Sequence, residues 1–219
     1  LDETGETHYI AALRDISARK RSERELEHLA RIDTLTQLPN RATLQQTLNG
    51  RLLRLLPGHG LAVLFIDLDG FKHINDSLGH QSGDILLKII VKRLRATVRS
   101  KDLVARWGGD EFVVVIEVGN DTELADRIAQ RLLEALSHPM VIGGHQISVT
   151  ASIGIVHAPQ NGRDGETLLK HADVAMYAAK NRGKNAIVVY HEQLKHHSLE
   201  QMSMLAHLRE AIAKDALDF

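Results

Sequence analysis

Leu61-Ala62-Val63-Leu64-Phe65-Ile66-Asp67, residues 61–67, is an unbroken apolar run that ends on an acid and lies between turn-forming residues. Such a run reads as a buried central strand. Working downstream, a short helix is expected at about 70–77. A longer one follows over 82–98, with Ile85, Leu86, Ile89, Ile90 and Leu94 on one face. Short strands at 103–106 and 111–117 flank Trp107-Gly108-Gly109-Asp110, where the glycine pair marks a tight hairpin. A helix at 121–137 and an apolar piece at 139–142 come next. Residues 145–157 then alternate. Ile147, Val149, Ala151, Ile153 and Ile155 fall on one face and Ser148, Thr150, Ser152 and Gly154 on the other, the pattern of a half-buried strand. A helix at 164–181 and a strand at 186–190 complete the domain.

Working upstream, Pro57-Gly58 closes a helix over 41–56 that Asn40 is placed to cap, after the break at Pro39. Residues 17–32 are rich in Arg, Lys and Glu and predict a charged helix with a thin apolar seam at Leu26, Leu29 and Ala30. That segment suits either a solvated linker or a dimeric coiled coil. Residues 8–16 resemble the end of a strand, and the tail beyond Glu192 predicts a helix with Leu199, Met202, Leu205 and Leu208 on one side. The order implies an α/β (α+β) domain with a mostly antiparallel central sheet flanked by helices, the helices packing on one face.

Composition narrows the functional classes. The chain has 219 residues, 43% of them hydrophobic, and a net charge of −1, so a polyelectrolyte partner such as duplex DNA is not suggested. The absence of cysteine excludes disulfides, thiolate metal sites and thiol nucleophiles, and fits a reducing cytoplasm. No apolar run approaches the roughly 20 residues of a membrane-spanning helix, and no signal peptide opens the chain. Leu1 and Phe219 look like the ends of a piece cut from a longer parent, which leaves room for a membrane anchor elsewhere. The thirteen histidines show no metal-ligand spacing, and His196-His197 suits a solvated surface.

Two elements carry chemistry. Asp67 sits at the carboxyl end of the central strand, with Asp69 two residues on. A carboxylate at the rim of a buried strand is costly unless a cation pairs with it. Mg²⁺ held by one or two carboxylates and substrate phosphates is one solution, and an ordinary capping Asp is the other. Gly108-Gly109-Asp110-Glu111-Phe112 places two adjacent acids after two glycines that permit close approach of a ligand. Neighbouring strand residues point to opposite faces, so Asp110 and Glu111 need not do the same job. A simple turn gains nothing from the second acid.

These residues resemble the GGDEF-domain diguanylate cyclases, which carry a palm-like nucleotidyl-cyclase fold. The likeness extends beyond the pentapeptide. It includes Asp33 to Arg41 (DTLTQLPNR), Asp67 to Asp84 (DLDGFKHINDSLGHQSGD), Thr150 to Gly154, Ala172-Asp173 through Lys180, and Gly183-Lys184-Asn185, together about residues 31–190. The resemblance implies that Asp67 and Asp110 ligate Mg²⁺ (or Mn²⁺) with the backbone carbonyl of Leu68. Glu111 serves a second metal or the deprotonation of the attacking hydroxyl. Amides around Gly70, Phe71 and Lys72 cradle phosphates at a helix start. Asn75 and Asp84 read guanine, Gly108 and Gly109 admit the substrate, and Lys180 and Lys184 bind the outer phosphates. Without the resemblance, Asn75 reads as a helix C-terminal residue, Asp84 as a helix N-terminal charge, and Lys180 as a solvated helix residue.

The implied reaction joins two GTP molecules into cyclic di-GMP with loss of pyrophosphate. One domain holds one nucleotide, so a homodimer is implied. Arg99-Ser100-Lys101-Asp102 resembles the family's product-inhibition motif, in which Arg99 and Asp102 bind cyclic di-GMP. Residues 1–16 resemble the tail of a PAS sensor, 17–32 a signalling helix, 33–192 the GGDEF domain, and 193–219 the lead-in to an EAL phosphodiesterase domain. Gln37 stands where the family usually has Gly, and Gly70 where a larger residue is frequent. The rival reading is a GTP-binding domain that regulates an attached EAL domain without cyclising anything.

Overall fold

In the computed structural model, which describes residues 31–119, 121 and 123–194, the apolar run lies inside a ten-residue strand. The elements are α1 (Arg41–Leu53), β1 (Gly60–Asp69), α2 (Phe71–Leu78), α3 (His80–Thr97), β2 (Leu103–Gly108), β3 (Glu111–Gly119), α4 (Leu124–Ser137), β4 (Met140–Ile142), β5 (His145–Ile147), β6 (Thr150–Ala158), α5 (Gly165–Asn181) and β7 (Ala186–Val189). The main sheet has five strands in the order β2-β3-β1-β6-β7. All neighbours are antiparallel except β6 and β7, whose parallel pairing requires the crossover that α5 supplies. The mixed, mostly antiparallel architecture is the one expected. The strand end expected at 8–16, nearly all of the helix expected at 17–32 and the tail beyond Leu194 lie outside the described residues.

Helices cover both faces of the sheet, not one. Alternate residues of β1 separate into two cores. Ala62, Leu64, Ile66 and Leu68 meet α3 and α4, while Leu61, Val63 and Phe65 meet α1 and α5. The continuous apolar run is the physical reason, since a strand with one wet face would have alternated. Helix boundaries follow local chemistry. Asn40 Oδ1 accepts from Thr43 N at 3.1 Å and caps α1, which ends at Leu53, three residues short of expectation. In α3, Ile85 is 47% exposed, whereas Leu87 and Val91 join Leu86, Ile90 and Leu94 in the core. The buried stripe thus keeps Leu86, Ile90 and Leu94 as expected but widens toward Leu87 and Val91 and leaves Ile85 outside.

The stretch 145–157 is not one half-buried strand. It breaks into β5, which pairs with β4 in a separate two-stranded sheet, and β6. The apolar face of β6 packs as expected, but the other face is buried too, with Ser152 wholly inaccessible. Small residues there let α5 lie close. A Cβ at Gly154 would overlap the Ala172 carbonyl oxygen and the Met176 backbone nitrogen. Among the described residues no helix is long and apolar enough to cross a membrane.

Candidate active site

The carboxyl end of β1 and the β2–β3 hairpin form one rim. In the register of the sheet, Asp67 faces Glu111 on β3 and Ser152 on β6. The side chains of Asp67 and Glu111 fall on the α5 side of the sheet, in phase with Phe65 and Val113. Asp67 is 5% exposed, and Lys180 of α5 places Nζ 2.7 Å from its Oδ2. Burial pushes the Asp67 carboxyl above its ordinary value; the Lys180 bond opposes this, and the charges of Asp110 and Asp69 add to the rise. Glu111 is pushed up by burial and then by Asp67, Asp173 and Asp110. Burial likewise raises Asp173, against the pull of Lys180.

Three acids, Asp67, Glu111 and Asp173, therefore share one lysine at the sheet's rim, with Asp110 beside them. Among the described residues no three His, Asp or Glu side chains converge to hold a metal ion by themselves. A divalent ion would fit here only with a mixed shell of Asp67, Asp110, Glu111, the Leu68 carbonyl and phosphate oxygens, the kind of shell Mg²⁺ favours. The raised carboxyls and the lysine standing on Asp67 are the marks of an anionic site short of positive charge. Lys180, expected at the outer phosphates, here holds Asp67.

The hairpin is fixed from outside. The guanidinium of Arg106 donates to the Gly109 carbonyl at 3.0 and 2.7 Å and to both carboxylate oxygens of Asp33 at 3.0 and 3.1 Å. Burial alone would raise Asp33, but hydrogen bonds from Thr36 and the Arg106 guanidinium bring it below the usual carboxylate range. Gly109 has φ +48°, and the Leu68 amide donates to the Asp110 carbonyl at 3.3 Å, which ties the turn to β1. No atom lies within 4 Å of a Cβ built at Gly108 or Gly109, so the space beside the turn is open.

Asp69, the second acid of the strand, is engaged elsewhere. It accepts from Thr150 Oγ1 at 2.7 Å, Ser152 Oγ at 2.8 Å and the Asn185 amide at 3.0 Å. The polar residues of β6 thus serve to anchor the turn after α5, where Lys184 sits exposed at φ +65°. Gly70 caps α2 at φ +78°, and the first amides of the helix, at Phe71 and Lys72, have no side-chain cap. Glycine suits that left-handed position, so the departure at Gly70 relieves strain in the loop. Gln37, the other departure, also has positive φ, +56°, and its side-chain Nε2 donates to the Thr34 carbonyl at 2.8 Å. A non-glycine residue costs about 1 kcal/mol in such a conformation.

Asn75 lies in α2 and Asp84 in the first turns of α3, on either side of the α2–α3 junction. Asn75 Oδ1 is buried with no partner, and a Cβ at Gly83 would overlap it. Asp84 is exposed. Arg99 and Asp102 lie at the far end of β2, roughly 17 Å from the hairpin by strand rise. They close a turn on each other, the Arg99 amide donating to Asp102 Oδ2 at 2.9 Å while Asp102 Oδ1 stays buried and unpaired. Arg99 lines a separate cleft of about 690 Å³ with Arg51, Arg54 and Lys101. The structure thus gathers Asp67, Asp110, Glu111 and Lys180 at one rim and sets Arg99 and Asp102 apart. Sequence reasoning missed Asp173 as a member of the rim. The available signal was its place two helical turns before Lys180 on α5.

Residues 30–186 match the family described as diguanylate cyclase, GGDEF domain. The chain is 40% identical over 198 residues to the bifunctional diguanylate cyclase/cyclic di-GMP phosphodiesterase MucR of Pseudomonas aeruginosa, covering 90% of this chain and 29% of MucR. It is 41% identical over 194 residues to the cyclic di-GMP phosphodiesterase NbdA of the same organism, covering 88% of this chain and 25% of NbdA. The chain thus spans between a quarter and a third of the length of these curated relatives. The crystal structure of the GGDEF domain of YfiN (TpbB) from P. aeruginosa superimposes with a TM-score of 0.68 at 39% identity, over 71% of this chain and 98% of that one.

Proposed function

The chain belongs to the diguanylate cyclase GGDEF-domain family, and on that premise we propose that it condenses two GTP molecules into cyclic di-GMP and two pyrophosphates. The observation that carries this reading is the facing pair Asp67 and Glu111, raised by burial and by neighbouring acids and countered by Lys180. A site in this state gains from Mg²⁺ and a triphosphate together. Asp67, Asp110, Glu111 and the Leu68 carbonyl would hold the metal, with Mn²⁺ as an alternative. When bound, it supplies Lewis-acid stabilisation of the phosphoryl oxygens.

The chain's own residues do the rest. The uncapped amides of Phe71 and Lys72 meet phosphate oxygens at the start of α2. Lys180 leaves Asp67 for the phosphates, and Lys184 adds a second cation. Asn75 and Asp84 accept from the N1–H and N2 donors of guanine, a role for which the unpaired Asn75 oxygen has the right chemistry. Glu111, its carboxyl raised, takes the proton from the attacking 3′-hydroxyl. The Asp33–Arg106 tether keeps the hairpin in place while pyrophosphate departs.

Each domain offers one such site, so two copies meet face to face, and alignment of two nucleotides supplies much of the acceleration. Residues 1–16 and 193–219 belong to PAS-like and EAL-like neighbours in a longer parent, with 17–32 as the signalling helix between sensor and cyclase. GTP as substrate places the reaction in the cytoplasm. Incubation of the chain with GTP and Mg²⁺, followed by chromatography, tests the reading, and cyclic di-GMP is the expected product.

A second reading has its own support, because NbdA, a similar chain, is named only as a phosphodiesterase. On that reading the domain holds GTP to regulate an EAL neighbour, and GTP is recovered unchanged. Arg99 and Asp102 form the inhibitory site for cyclic di-GMP. Arg99→Ala is expected to raise the product concentration needed for half-inhibition about tenfold or more, since a bidentate guanidinium contact is lost. An inhibition curve identical to that of the wild type removes this assignment.

A further inference from the structure

The rim has two flanks, and the proposed site uses one of them for the base. Asn75 and Asp84 lie on the α2–α3 side. On the α1 side a cleft of about 620 Å³ opens against the hairpin, lined by Asn40, Arg41, Gln45, Arg106, Trp107 and Gly108. A second recess of about 230 Å³ shares Arg41, Gln45 and Trp107 with it and is also lined by Phe65 and Asp173. Asp173, which lines this recess, also acts electrostatically on Glu111, so the recess shares a residue with the acidic rim.

The wall of this cleft is built in layers. Trp107 sits edge-on to Phe65 with ring centroids 5.7 Å apart, and the Arg41 guanidinium lies 4.1 Å above the indole. This cation–π contact holds the guanidinium against the indole face and shields one side of it. Its N–H fork makes no hydrogen bond or ion pair among the described residues, and the side chain is exposed. A flat, oriented, unpaired fork beside a cavity suits a ligand with two adjacent in-plane acceptors.

The proposed reaction supplies such a ligand. The attacking hydroxyl belongs to a nucleotide carried by a second copy of the chain. That copy engages the N1–H and N2 donors of its own guanine, which leaves O6 and N7 free. Those two acceptors match an arginine fork. We infer that the Arg41–Trp107 cleft receives the guanine of the GTP held by the opposing copy, with Arg41 donating to O6 and N7. The inference rests on the two-nucleotide reaction proposed above. It makes Arg41 a specificity residue for the second nucleotide, while the first is read at Asn75 and Asp84.

The test uses α,β-methylene GTP with Mg²⁺, which cannot release pyrophosphate and so reads assembly without turnover. Sedimentation measures nucleotide-driven dimerisation of the full 219-residue chain, and calorimetry on dilute protein measures affinity for one copy. Arg41→Ala and Arg41→Lys are both expected to weaken dimerisation about tenfold or more, because lysine keeps the charge and loses the fork. Single-copy affinity is expected to stay within about twofold. Wild-type dimerisation in either variant, or failure of the wild type to dimerise on the analogue, overturns the subsite. A wild type that dimerises on the analogue yet makes no cyclic di-GMP from GTP refutes the cyclase reading alone.

Discussion

Glu111→Gln is expected to reduce cyclic di-GMP synthesis at least about a thousandfold while raising the melting temperature of the nucleotide-free domain at neutral pH. The two effects share one cause. Glu111 stands among Asp67, Asp173 and Asp110, and burial and their charges raise its carboxyl above the ordinary value. A carboxyl raised on folding contributes stability that is fully present below its unfolded value and lost as pH rises through the folded one. At neutral pH the wild type therefore carries an unfavourable charge that Gln lacks. The melting-temperature advantage of the variant should be positive near pH 7 and vanish near pH 4, as followed by calorimetry in metal-free buffer. Adding Mg²⁺ and α,β-methylene GTP should narrow the difference by stabilising the wild type more. A variant that cyclises GTP at the wild-type rate would falsify the role given to Glu111. One that melts lower than the wild type at neutral pH would show that the acids are not in electrostatic conflict.

Gly154→Ala is expected to destabilise the domain by about 3 kcal/mol or more, an effect large enough to compromise folding. Gly154 lies opposite Phe65 on β1 and Val188 on β7, beneath α5. The added methyl would meet backbone atoms of Ala172 and Met176, not flexible side-chain ends. The only relief is to lift α5 from the sheet. That helix carries Asp173 and Lys180, so the displacement reaches the rim as well as the core. Urea denaturation should show a lower midpoint with an unchanged slope, and residual soluble protein should have lost cyclase activity. A loss below about 1 kcal/mol would mean that α5 yields easily and the packing is loose.

Most of the site's acids were legible because their signals are local. Asp67 announces itself at the end of an unbroken apolar run, and Asp110 and Glu111 stand side by side after two glycines. The left-handed turn at Gly109 follows from the same five residues. The partners of these groups were not legible, because they are distant in sequence. Arg106 reaches Asp33 across 73 positions, and Thr150 and Ser152 reach Asp69 across 81 and 83. Neither pairing leaves a periodic trace. Asp173 left a weaker signal, its place two helical turns before Lys180 on one helix, which by itself also suits a solvated acid.

The distinction between the two helix-covered faces has a similar origin. Alternation in β6 separates large from small residues, and the small set reads as polar and wet. Only the close approach of α5, permitted by Gly154, shows that the small side is buried. Amino-acid order by itself determined the strand that forms the centre of the sheet, the acids at its end and the tight turn beside them, because each depends on neighbouring residues and on backbone periodicity. Tertiary structure alone decided which acids face one another, which lysine answers them and where a cleft opens beside Arg41 and Trp107. Those outcomes depend on the register of antiparallel strands and on one helix settling against a glycine, and both are set by contacts between segments far apart in the chain.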